Sequence, residues 1–197
     1  MIVVAAGGCS DPDTQPAATS VQSSVTPSTH QRAAPRVIRP ASMQRSVPTR
    51  VEIPALGVHS ALMGLGLQTD GTLEVPPGAF PAGWYTGSPT PGELGPAVIV
   101  GHVHYNGAAG VFARLGSLEP ADLVLVTRKD GSRAAFRVSR VEEFDKAAFP
   151  TRLVYGNIGN AGLRLITCGG LDLSSGDYED NVVVFADLVD PRGATES

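Results

Sequence analysis

The sequence is short of several things. It holds two cysteines, Cys9 and Cys168, and one tryptophan in 197 residues. Two thiols allow a single intramolecular disulfide, so no disulfide framework organises the fold. A chain of this length buries a core without one. Charged residues make up 17%, below the usual quarter. The net charge is −4 and no run of Lys and Arg interrupts it, which argues against nucleic acid as a partner. No stretch approaches the ~20 apolar residues of a transmembrane helix, and no internal repeat is present. Gly (23) and Pro (16) are plentiful instead, which favours many turns and short strands over long helices.

The start, Met1-Ile-Val-Val-Ala-Ala-Gly-Gly-Cys9, is apolar and small-residued. It is similar to the processing box of bacterial lipoproteins, in which the cysteine becomes lipid-modified. It has no basic n-region, and its apolar part is shorter than the ~7–15 residues of an export segment. Residues 1–9 are therefore expected to be the remnant of a signal, lipoprotein or membrane-anchor segment; an apolar start without a targeting role is the plainer alternative. Residues 10–48 are rich in Pro, Ser, Thr, Gln and Ala. Such a stretch cannot bury enough apolar surface to offset its ordering entropy, and it reads as a disordered spacer. A folded domain is expected over residues 49–190, with a C-terminal tail at 191–197.

Within the domain, strands are predicted at Arg50–Pro54, Gly71–Pro76 and Ala97–His102, the last of the fully buried type. Asp122–Thr127 and Ser132–Ser139 flank Asp130-Gly131, the chemistry of a tight hairpin. Gly110–Gly116 suits one or two helical turns, and Glu142–Phe149 a short helix ended by Pro150. Leu163–Gly170 and Asn181–Leu188 complete the pattern. About eight short strands without a helical repeat predict a mainly β fold, closed or nearly closed into a barrel, which removes exposed edges.

Cys168 terminates the strand Leu163-Arg-Leu-Ile-Thr-Cys-Gly-Gly170, at a rim where a side chain meets substrate. His102 likewise follows a buried strand, in Gly-His-Val-His. If the two strands are neighbours, their ends bring a thiol and an imidazole within reach. That pair is the minimum for thiol catalysis, with the thiolate as nucleophile and the imidazole moving the proton. His102, His104 and Cys168 also offer three ligands of zinc type, but His-x-His alternates faces on a strand and no fourth ligand accompanies them. A disulfide between Cys9 and Cys168 is disfavoured because Cys9 sits on the spacer side, about forty residues before the domain.

Leu165-Ile-Thr-Cys168 resembles the Thr-Leu-x-Thr-Cys strand end of bacterial sortases, and Pro96-Ala-Val-Ile-Val-Gly-His102-Val resembles their histidine-bearing strand. Ile53-Pro-Ala-Leu-Gly-Val, Asp70-Gly-Thr-Leu-Glu-Val-Pro, Gly83-Trp-Tyr and Tyr178-Glu-Asp-Asn-Val-Val-Val-Phe-Ala are similar to the actinobacterial class E/F group, class F most closely. The resemblance spans Val51 to Leu188. It implies an eight-stranded sortase-like β-barrel with a few short helices, and a cysteine transpeptidase that needs no cofactor. It implies that Cys168 attacks a Leu-Pro-x-Thr-Gly-like sorting signal between Thr and Gly to form a thioester. An amine acceptor, a peptidoglycan precursor or a pilin, then resolves the thioester. His102 would serve as general acid and then base, and Thr167 would help to shape the substrate groove. The enzyme would act at the cell surface, tethered to the membrane through its N-terminus.

One position departs from the pattern. The family supplies an arginine from the strand after the cysteine, expected in class F directly after the tyrosine of Tyr-Arg-Asp-Asn. Glu179 stands there. A carboxylate repels developing negative charge, and losing an oxyanion donor costs roughly 2.7–4 kcal/mol. Arg114, Arg152 or Arg164 could substitute, the loop Leu171–Asp177 could shift the register, or the barrel could bind surface peptides with little turnover.

Overall fold

The computed structural model describes residues 42–171 and 178–189, with 168–171 and 178–179 described by their backbone. The expected anchor with Cys9, the spacer up to residue 41, most of the loop 171–177 and the tail 191–197 lie outside the described residues.

Among the described residues ten strands form in chain order: β1 (Pro48–Ile53), β2 (Val58–Leu65), β3 (Ala82–Tyr85), β4 (Gly95–Val100), β5 (His104–Tyr105), β6 (Ala108–Ala109), β7 (Leu123–Arg128), β8 (Arg133–Asp145), β9 (Ala161–Leu171) and β10 (Tyr178–Val189). Eight of them close into a barrel in the order β1-β2-β3-β4-β9-β10-β8-β7, while β5 and β6 form a separate ribbon. The predicted mainly β barrel is thus the observed fold. Closure comes from antiparallel pairing of β1 with β7. Two neighbours run parallel, β2 with β3 and β4 with β9, and parallel neighbours need long crossovers. The second crossover carries β5 to β8, so strands distant in sequence meet at β4 and β9.

Strand alternation sorts the apolar residues into two layers. Val51, Ile99, Phe136, Leu163, Leu165 and Val184 belong to the larger core cluster, with Phe112 and Leu115. Val98, Val100, Ile166, Val183 and Phe185 form a second cluster on the other face, beneath Val154. β4 is buried on both faces along its whole length, which is why it reads as an unbroken apolar run. Each such Leu, Ile or Phe contributes about 1.5–3 kcal/mol on leaving water.

The hairpin at Asp130-Gly131 forms as predicted, with Gly131 at φ +82. Asp130 Oδ1 accepts from the Ser132 amide (3.0 Å) and hydroxyl (2.6 Å), and these bonds hold its carboxyl below the ordinary aspartate value. Asp70 is lowered the same way by the Thr72 hydroxyl and amide. The chain engages the barrel before β1: the Met43 amide donates to Gly92 O at 2.7 Å, and the buried Arg128 guanidinium donates to Gln44 O.

Three element predictions need correction. Cys168 does not terminate its strand: β9 runs through Gly169-Gly170 to Leu171, held by its ladder to β10. Gly71–Pro76 is no barrel strand; apart from one bridge, Leu67 with Leu73, it belongs to the crossover between β2 and β3. The barrel takes Val58–Leu65 instead, whose mixed burial hides its strand character. The predicted helix over Glu142–Phe149 is also absent. β8 continues to Asp145 because the 12-residue β10 pairs with it as far as Asp180. Only a 3-10 turn, Lys146–Ala148, follows, and the short helix α1 (Thr151–Tyr155) comes after Pro150.

Candidate active site

The site is set by the parallel ladder of β4 and β9. Every partnered pair differs by 66 in residue number, from Gly95 with Ala161 to Val100 with Ile166. His102 and Cys168 differ by the same 66. The ladder runs past the end of β4, since the Gly101 amide donates to Ile166 O at 3.1 Å. The two residues therefore sit at the same level of adjacent strands. By alternation position 168 shares the face of Ile166, the layer that includes Val100. On its other side, β10 pairs Asn181 with Cys168.

His102 is held from three directions. Its carbonyl accepts from the Phe112 amide at 3.0 Å, closing the excursion through the β5–β6 ribbon. Its ring lies 5.2 Å from that of Tyr105, centroid to centroid. Its Nε2 lies 2.7 Å from Pro76 O, on the β2–β3 crossover. A carbonyl only accepts, so Nε2 carries the hydrogen and, in the neutral ring, Nδ1 keeps the lone pair. Gly110 makes the pinning possible, because a Cβ there would drive into the His102 carbonyl. Gly110→Ala is expected to cost about 1–3 kcal/mol by overpacking, lowering Tm by roughly 3–10 °C for a domain of this size. Gly159→Ala, where a Cβ meets nothing, should leave Tm within about 1 °C, because a surface change away from special contacts is near neutral. Thermal melts of both variants check this.

A groove of about 180 Å³ opens at this end of the ladder, lined by Leu73, Val100, His102, Tyr155, Ile166 and Asn181, with Thr167 at its edge. A further hollow of about 460 Å³ shares Leu73 and Tyr155 with it and adds Tyr85 and Phe149. Both are mostly apolar, and among the described residues that line them His102 carries the one imidazole. Thr167 is buried, and its Oγ1 has no hydrogen-bond partner among the described residues. His104 is exposed on β5.

None of the three candidate arginines lines the groove. Arg114 Nη2 donates to Leu56 O at 2.6 Å beside a separate hollow that includes His59. Arg152 is exposed on α1. Arg164 is buried, its guanidinium 4.6 Å from the Phe185 ring centroid and donating to Leu163 O. Burial pushes its pKa down to about 10, against the pull of Asp187, so it stays charged at neutral pH. A buried cation that forms no ion pair among the described residues costs desolvation, which an apolar side chain of similar length does not. Arg164→Met should therefore fold, with a melting temperature no lower than that of the wild type, whereas a clear drop would show that the Phe185 ring and Leu163 carbonyl contacts stabilise the barrel.

A closed eight-stranded barrel with an imidazole at the end of a parallel ladder defines a sortase-type fold. The sortase domain family model matches residues 51–189, and the chain belongs to the sortase family of transpeptidases. Among solved structures, sortase A from Corynebacterium diphtheriae (lid mutant) aligns at TM-score 0.58 and 22% identity, over 76% of this chain and 75% of that one. Sortase C-1 from Actinomyces oris aligns at TM-score 0.55 and 18% identity, over 72% and 73%. Streptococcus agalactiae sortase C1, in complex with MTSET, aligns at 0.59 and 17%, over 80% and 72%. At these identities the likeness is one of fold. No curated protein matches the sequence.

Asn181, Tyr155 and Pro76 join the site although no motif marks them as functional. Asn181 was legible only as the end of Tyr-Glu-Asp-Asn, and the other two enter through long-range packing.

Proposed function

We propose that the chain is a cysteine transpeptidase of class E/F type, most like class F, that works at the cell surface. Cys168 is the nucleophile, attacking the Thr–Gly carbonyl of a Leu-Pro-x-Thr-Gly-like signal. His102 receives the thiol proton, delivers it to the leaving glycine amine, and takes one from the incoming amine. Thr167 shapes the groove beside the cysteine. The acceptor is an amine of a peptidoglycan precursor or a pilin. Residues 49–190 are the catalytic domain, 10–48 its spacer, and 1–9 part of a membrane or lipid tether. No helix among the described residues is long and apolar enough to cross a membrane.

The observation that supports this reading is the 66-residue offset of the β4–β9 pairs, which His102, two residues beyond β4, shares with Cys168 on β9. Incubating the protein with a sorting-signal peptide and an amine such as triglycine should yield the ligated product by mass spectrometry. Neither ligation nor a peptide thioester on the protein, across a panel of such signals, would sink the proposal. A second reading, a barrel that binds surface peptides with little turnover, is motivated by Glu179 in the place of an arginine, and among the described residues no arginine lines the groove. Under it, Glu179→Arg raises turnover markedly; unchanged turnover counts against it.

A further inference from the structure

An acyl transfer at Cys168 places negative charge on the attacked carbonyl oxygen, and that charge needs a donor. No Lys or Arg lines the groove among the described residues. Opposite Cys168 in the antiparallel ladder stands Asn181. Directly opposed residues share a face, with Cβ atoms about 4.5–5.5 Å apart. Asn181 lines the same groove as His102 and Ile166 and is half-buried. No described residue hydrogen-bonds to its side chain. Glu179, two positions earlier on β10, lies ~7 Å further along the strand.

We propose that the Asn181 carboxamide is the side-chain donor of the oxyanion site, a neutral group where a guanidinium would be expected. The inference rests on the transpeptidase reading above. The Cys168 thiolate forms the C–S bond to the Thr carbonyl carbon, and the carbonyl π pair moves onto oxygen, where Asn181 Nδ2–H donates to it. The pair returns, the C–N bond to glycine breaks, and that nitrogen takes the proton held by His102. In the second half the incoming amine nitrogen attacks the thioester carbon and gives its proton to His102. The same Nδ2–H holds the second oxyanion, and the C–S bond breaks to restore the thiolate. An amide carries two N–H donors and, unlike an arginine, adds no positive charge beside the thiolate.

The test uses the full chain with sorting peptide and amine, together with Asn181→Ala and the near-isosteric Asn181→Asp. Wild-type activity comes first; its absence counts against the transpeptidase reading and not against the role of Asn181. Both variants should lose about 10²–10³-fold in kcat/KM, mostly in kcat, with melting temperatures near that of wild type. In Asn181→Ala the alkylation of Cys168 by iodoacetamide should keep its wild-type rate, because the nucleophile is intact. Folded variants that retain transfer within threefold overturn the proposal. So does alkylation that falls in step with acylation, since Asn181 would then act on the thiol.

Discussion

Cys168→Ala is expected to abolish ligation of a sorting peptide to an amine, lowering the rate by about 10⁶-fold, the scale on which a serine acyl-transfer enzyme responds to loss of its nucleophile. The other cysteine, Cys9, lies outside residues 49–190, and the Cys9→Ala variant, with Cys168 intact, should ligate at the wild-type rate. Cys168→Ala should leave the fold intact, because position 168 is held through the backbone ladder to Asn181. A peptide adduct detected by intact mass on the wild type should vanish in the variant. Ligation at the wild-type rate by a folded Cys168→Ala protein would end the thioester mechanism.

His102→Ala should cost about 10²–10⁴-fold, the usual share of a positioned acid–base group. The imidazole is anchored through Nε2 on Pro76 O at 2.7 Å, leaving Nδ1 to exchange protons. Removing the ring also frees the crossover that carries Pro76, so a second measurement separates the chemical loss from the structural one. Added imidazole should restore part of the rate in the alanine variant. Loss without rescue, together with a lowered melting temperature, would assign His102 a bracing role instead.

Much of this was legible in local patterns. β4 and β9 are long apolar runs, and the Asp130-Gly131 turn has a chemistry that few other structures use. His102 follows its run as expected, but Cys168 stands inside β9, which continues to Leu171 because β10 pairs with it as far as Tyr178. Pairing is a different matter. Val58–Leu65 does not alternate cleanly in burial, and its strand identity comes from its ladders to β1 and β3. The true length of β8 follows from β10, some forty residues on. Asn181 became visible only once the ladder set it against Cys168, whereas the motif had drawn attention to Glu179.

The register of β4 on β9 has a consequence for how this chain tolerates change. Distance between the histidine and the cysteine is set by ladder hydrogen bonds, not by the length of chain that separates them. Segments in between, such as the exposed turn at Asp130-Gly131, can lengthen or shorten at little cost, since loop closure entropy grows slowly with length. A single residue gained or lost inside Ala161–Thr167 is another matter, for it moves position 168 out of step with position 102 and turns it to the opposite face. Engineered insertions therefore have a permissive zone in the hairpin and a forbidden one within the strand.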